Sequence, residues 1–182
     1  RETPLAMFPG DGTDTAWLTL DRADNDVPRF LACLGEAVAR MAVDDIGGHA
    51  PLDALDALAH HASPFVLFLD DFELIQEPAV LGLVREIIDN LPRRGQLVIG
   101  SRALPDLGLG RLRARGQLVE VDAEHLRFSI DETTEFFRLR GGPALQPHVL
   151  EQLQRKTEGW VAALWLASMA LERHGAGSDF IE

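Results

Sequence analysis

The sequence predicts an α/β protein, a parallel sheet with flanking helices followed by a small helical domain, and three observations lead to that class. Residues 64–75, PFVLFLDDFELI, form an apolar run that closes on two adjacent carboxylates, Asp70 and Asp71. Such runs are strands buried on both faces of a parallel sheet, and these sheets bind ligands at the carboxyl ends of their strands. Short runs of the same kind alternate with helical periodicity as far as about Asp122, the order expected of βαβ units. From Ser129 onward only helical spacing remains, so residues 1–122 read as the sheet domain and 123–182 as the helical one.

Pro9-Gly10-Asp11-Gly12 is dense in turn formers and ends whatever Leu5 to Phe8 begins. Ala16 to Leu20 reads as a buried strand, and Asp21 to Asp26 as an acidic loop. Val27-Pro28 opens a helix in which Phe30, Leu31, Leu34, Val38 and Met41 recur at helical spacing, to about Asp44. After a glycine-rich loop at 46–50, Leu52, Leu55, Leu58 and Ala59 mark a second short helix. The strand at Phe65 to Leu69 leads to a helix with a stripe of Val80, Leu83, Val84, Ile87, Ile88 and Leu91, ended by Pro92. Gln96 to Gly100 is the next strand and runs into Ser101-Arg102. Residues 104–116 read as a loop or short helix, and Leu118 to Val121 as a fourth strand. Helices then follow at Ile130 to Leu139, behind a Ser129 cap with Glu132 in the capping-box position, at Gln146 to Lys156, and at Trp160 to Arg173. Residues 175–182 read as a loosely held tail.

Composition bounds the function. A hydrophobic content of 46% is ample for a core, and a formal net charge of -12 opposes approach to a polyphosphate backbone. DNA binding is therefore expected only through a domain outside these residues. The single cysteine, Cys33, lies in an apolar helical pattern as a small buried thiol, and no leader or long apolar span marks export or membrane insertion, so a cytoplasmic setting is expected. Arg1 opens the chain without an initiator methionine, which reads as a fragment.

A strand-end carboxylate in a magnesium-nucleotide site holds the metal, usually through water, and a second acid beside it orients or deprotonates the attacking water. Asp70 suits the first role and Asp71 the second; equally, two acids can simply end a strand at a solvated loop. Arg102, at the end of a neighbouring strand, could reach a terminal phosphate, with Ser101 orienting it. The expected phosphate loop, G-x-x-x-x-G-K-[ST], occurs nowhere in the 182 residues. His60 and His61 are adjacent and lack an i+4 partner, so they do not form a zinc helix, and no G-x-S-x-G elbow is present. Arg111, Arg113 and Arg115 fit a salt-bridged surface better than a nucleic-acid patch in so acidic a chain.

Several blocks together resemble one family. Trp17-Leu18-Thr19-Leu20-Asp21, then Asp24-Asn25-Asp26 and Arg29-Phe30, are similar to the W-L-S-L-D...D-N-D...R-F block of large LuxR-type transcription activators related to the maltose regulon activator. Residues 69–75 resemble the Walker B strand of that family's STAND-class signalling NTPase domain, and Ser101-Arg102 its sensor arginine. Residues 112–120 are similar to its L-R-x-R-x-Q-L-x-E segment, and Leu126 to Ser129 and Thr157 to Leu164 to its helical-domain blocks.

The resemblance implies a P-loop-NTPase-like sheet whose first, phosphate-loop strand would precede residue 1 and lie between the 96–100 and 118–121 strands. It implies a segment of a signal-transduction switch: ATP with Mg2+ and a small-molecule inducer favour a self-associating form, and a C-terminal helix-turn-helix beyond this chain binds DNA. Asp70 would hold magnesium, Asp71 would act on water, Ser101 and Arg102 would meet the terminal phosphate, and Gly159, Trp160 and Val161 would flank the base. Val161 stands where the family usually has proline. Turnover would be slow at most, and the isolated segment inactive. The alternative is a degenerate scaffold that presents surfaces to protein partners without nucleotide.

Overall fold

A computed structural model describes residues 12–41, 53–141 and 145–174. The expectations at Leu5 to Asp11, at 42–52 and at 175–182 lie outside these residues. The chain divides into two compact units, Arg1–Gln117 and Leu118–Glu182.

The first unit is built on three parallel strands in the order β1-β2-β3: β1 (Asp14–Thr19), β2 (Phe65–Asp70) and β3 (Gly95–Ile99). Crossover helices link them: α1 (Val27–Met41), the short α2 (Asp53–Ala59) and α3 (Pro78–Asn90), with α4 (Leu109–Ala114) after the last strand. This is the α/β class that the alternation predicts, with α4 in the segment read as loop or short helix. Side chains alternate across a strand, so Phe65, Leu67 and Leu69 enter one core with Ala16 and the half-buried Leu18, Leu97 and Ile99. Onto that face pack Phe30, Leu34, Val38 and Met41 of α1, Leu58 of α2, and Val80, Val84 and Ile87 of α3, at the helical spacing read from sequence. Each such side chain contributes about 1.5–3 kcal/mol on full burial. The register aligns Trp17, Phe68 and Val98 in one row on the opposite face; Trp17 stacks on Phe68 with ring centroids 4.7 Å apart.

The acidic stretch at 21–26 is more ordered than a loop. Asp21 caps a 3-10 turn at Arg22–Asn25 through a reciprocal capping box with Asp24. The Asp24 carboxylate is buried and accepts the amide of Asp21 at 2.8 Å and Arg29 Nε at 2.9 Å, a paired burial of charge. Asp26 then accepts the amide of Arg29 at 3.0 Å at the start of α1. The D-N-D...R-F block is thus a folded connection between β1 and α1.

Leu118 to Val121 is not a strand. No regular element covers 117–122, and Val119 and Val121 are 65% and 62% exposed. A strand exists only through a ladder to a neighbour, and among the described residues β3 pairs with β2 alone. Apolar alternation at 118–121 therefore predicts a potential that no partner strand realises.

The second unit is helical: α5 (Ile130–Leu139), α6 (Pro147–Thr157) and α7 (Val161–His174). Ser129 accepts the amide of Glu132 at 3.2 Å while the Glu132 carboxylate accepts the amide of Ser129 at 2.8 Å, the capping box expected there. Phe137, Val149, Leu153, Leu164 and Leu171 form its core. A partly buried chain of hydrogen bonds ties the elements: Thr133 Oγ1 donates to Gln154 at 2.7 Å, and Gln154 Nε2 donates to the Phe128 carbonyl at 2.6 Å. No helix among the described residues is long and apolar enough to cross a membrane.

Candidate functional site

The carboxyl ends of β2 and β3 converge on an open depression lined by Asp70, Asp71, Glu73, Gly100, Ser101 and Arg102. The register explains the convergence. Leu69 pairs with Ile99, so the next residues along each strand, Asp70 and Gly100, lie side by side, and the ladder continues from Gly100 N to Leu69 O (2.8 Å) and from Phe72 N to Gly100 O (3.0 Å). A Cβ at Gly100 would come within 2.5 Å of Asp70 Oδ1, so a larger residue here would displace the Asp70 carboxylate from its present position.

Asp70 Oδ1 accepts the amide of Asp71 at 3.0 Å, which turns its half-buried carboxylate against the start of the following loop. Asp71 adopts the left-handed conformation (φ 55°, ψ 36°) that aspartate tolerates better than most residues, and its carboxylate makes no capping bond to the 3-10 turn Phe72–Leu74 that it opens. The turn is pinned by Phe72 and Ile75, both buried, and carries Glu73 back over the strand ends. Glu73 accepts the Arg102 amide at 3.2 Å and pairs with Arg102 Nε at 3.4 Å; the Asp71 carboxylate is 4.0 Å from the same guanidinium. Hydrogen bonds from its own amide and from that of Arg102, with the Arg102 charge, hold the Glu73 carboxyl below the usual carboxylate range against the opposing effect of burial. Ser101 does not orient Arg102. Its hydroxyl donates to the Ala103 carbonyl at 2.6 Å, closing a local turn, and Glu73 holds the arginine instead. The sequence reading leaves Glu73 without a role; the signal was a third acid, one 3-10 turn beyond Asp70.

Three carboxylates and one guanidinium line the depression, so it favours a cation over a bare anion. Magnesium is characteristically held by one or two carboxylates plus phosphate and water rather than by an all-protein cage, and Asp70 with Asp71 fits that mode. Among the described residues no group of three or more His, Cys, Asp and Glu could hold a metal by itself.

Gly159, Trp160 and Val161 lie in the helical unit. Gly159 (φ +77°) follows the left-handed Glu158 (φ 50°) between α6 and α7, and its carbonyl accepts the Phe128 amide at 2.8 Å. The Trp160 ring is half-exposed beneath the Arg127 guanidinium, 5.5 Å from centroid to Cζ, and Val161 begins α7. Elsewhere, Arg111 pairs with Asp89, in keeping with a salt-bridged surface. His61 pairs with Asp14 at 2.8 Å, and the half-buried Cys33 thiol is pushed up in pKa by burial and by the Asp24 carboxylate, which keeps it protonated.

The chain is 31% identical, over 184 aligned residues and 93% of its length, to the HTH-type transcriptional regulator MalT of Yersinia enterocolitica, and equally to MalT of Yersinia pestis and Yersinia pseudotuberculosis. It spans 20% of the length of those relatives. The likeness to maltose-activator-type regulators read from the sequence blocks therefore extends over nearly the whole chain. No family model matches it. Among solved structures, the Orc1 protein of Aeropyrum pernix in complex with DNA aligns with 88% of this chain and 46% of its own, at 16% identity and a TM-score of 0.47, too weak a likeness to carry an inference.

Proposed function

We propose that this chain, MalT-like over nearly all its length, is part of the nucleotide-binding core of a LuxR-family transcription regulator, in which occupancy of the site by ATP and Mg2+ switches the protein between inactive and active forms. The carrying observation is the convergence of Asp70 and Asp71 at the end of β2 with Arg102 at the end of β3. Asp70 holds the metal, directly or through water, and Asp71 orients a water molecule toward the terminal phosphate. Arg102 leaves Glu73 to meet that phosphate, so its partner reports whether the phosphate is present. Magnesium, when bound, neutralises the triphosphate and makes its approach to three carboxylates favourable. A base-flanking role for Gly159, Trp160 and Val161, in the helical unit, rests on the family resemblance alone. Inducer binding, self-association and DNA binding belong to the longer protein, consistent with relatives five times this length.

The test is calorimetry with Mg-ATP on a protein of the relatives' full length that carries this chain. Removing the metal ligand, Asp70→Ala, is expected to abolish the magnesium-dependent part of binding; an unchanged titration would remove Asp70 from the role. A second reading, a protein-interaction scaffold without nucleotide, is favoured by the carboxylate excess and by the lack of G-x-x-x-x-G-K-[ST] among the 182 residues. Absence of any Mg-ATP binding by the full-length protein would select it.

A further inference from the structure

The loop that carries Asp71 and Glu73 is held from a distance of about fifty residues by one side chain. Asn25, the last residue of the 3-10 turn after β1, donates through Nδ2 to the Leu74 carbonyl at 2.9 Å. Its Oδ1 accepts the amides of Gln76 at 2.7 Å and Glu77 at 2.8 Å, and Nδ2 also donates to the Arg22 carbonyl at 3.0 Å. Every hydrogen-bonding position of the amide is therefore used, three of them on the loop between β2 and α3. The amides of Gln76 and Glu77 precede Pro78 at the first turn of α3 and have no helical partner of their own, so Asn25 supplies one.

We infer that Asn25 is a positioning residue of the candidate phosphate site: it fixes the 71–77 loop so that Glu73 holds the Arg102 main chain and guanidinium in place. The inference rests on the functional reading above only in naming what the site is for. The chain of contacts runs from Asn25 to Leu74, then through the adjacent Glu73 to the Arg102 amide. Neighbouring elements hold Asn25 itself rigidly. The Leu20 amide donates to the Asp70 carbonyl at 3.0 Å, and Asp24, beside Asn25, is buried on Arg29. The amide thus bridges two segments that are already docked, and orders the one that bears the acids.

Amide hydrogen exchange on the protein without nucleotide tests the positioning. Asn25→Ala is expected to speed exchange at Gln76 and Glu77 by about 5- to 30-fold, the range for losing one or two net hydrogen bonds, and to lower protection at Arg102 in the same direction, while Leu67 and Leu69 in β2 stay protected. Asn25→Asp keeps an acceptor for both amides but loses the donor to Leu74. It should restore protection at Gln76 and Glu77 and not at Arg102, which a merely structural role for Asn25 would not produce. Faster exchange confined to Gln76 and Glu77 in Asn25→Ala, with Arg102 unchanged, would overturn the inference, as would no change at all. If Asn25→Ala loses protection throughout β2, the folded Asn25→Asp variant decides by the same Arg102 criterion. A full-length protein that shows this exchange pattern and yet binds no Mg-ATP would bring down the nucleotide reading and leave the positioning role standing.

Discussion

At Gly159 the chain turns from α6 to α7 with φ +77°, and a Cβ there would lie 2.3 Å from the Phe128 carbonyl oxygen. Two separate demands, a left-handed conformation and a close backbone approach, fall on one residue, and only glycine meets both. Gly159→Ala should therefore destabilise the helical unit by at least about 1–2 kcal/mol, the cost of the left-handed backbone alone, with the overlap added to it. Urea unfolding followed by Trp160 and Trp165 fluorescence in a Trp17→Phe background reads this unit separately, and an unchanged midpoint would show that the turn relaxes freely. The packing reason stands beside the base-flanking role proposed for the same residue, so nucleotide effects of the variant must be corrected for lost stability. Residues whose role depends on a turn are those that sequence conceals. Asp70, Asp71 and Arg102 were legible because they close apolar runs. Glu73 and Asn25 were not, since nothing in spacing foretells that a left-handed Asp71 swings Glu73 onto Arg102, or that Asn25 reaches Leu74.

Among the elements, those with a local signature are found close to where they are read: β1 to β3 within two residues of their apolar runs, α1 and α3 from their stripes, α5 from its capping box, although exposed Trp17 and Val98 show that β1 and β3 are not buried on both faces as such runs suggest. The segment at 118–121 shows the opposite case, because a strand is a property of a pair and its partner lies at no fixed distance in sequence. The α5 cap supports a prediction of its own. Hydrogen bonds from the backbone and hydroxyl of Ser129 hold the Glu132 carboxyl below the ordinary glutamate range. A carboxyl depressed in the folded state stabilises when ionised, so its contribution is present above the pKa of the unfolded chain and is lost as the pH falls through the lower, folded value. Glu132→Gln removes the charge and keeps the shape. The variant should be less stable than the parent at neutral pH, and the difference should close in acid, below the ordinary glutamate range. A difference in urea midpoint that persists undiminished in acid would show that the cap acts through shape alone.

On the scale of the whole molecule, 29 acidic residues against 17 Lys and Arg leave a formal charge of -12, and this decides more than any single pair. Several basic residues among those described are committed to ion pairs: Arg29 to Asp21 and Asp24, Arg85 to Asp106, Arg138 to Glu135, Arg140 to Glu172. Proteins bind a duplex chiefly through cations that displace its condensed counterions into solution, each phosphate neutralised contributing about -0.9 to the slope of log K against log salt. Those arginines would have to break their pairs to contribute, and whatever cations the chain offers bring its excess carboxylates toward the phosphates. Fluorescence anisotropy of a labelled duplex titrated with the 182-residue chain should accordingly show no salt-dependent association, even at low ionic strength where surface charges act furthest. Association with a steep negative salt slope would contradict this and locate a cationic surface within the chain. Under the proposed function, the carboxylates at the strand ends make a divalent cation the expected first ligand at Asp70 and Asp71. On that proposal a polyphosphate would arrive at the strand ends with its metal, so in a titration of the full-length protein with Mg-ATP, chelation should remove binding more completely than loss of Arg102; equal losses would contradict it.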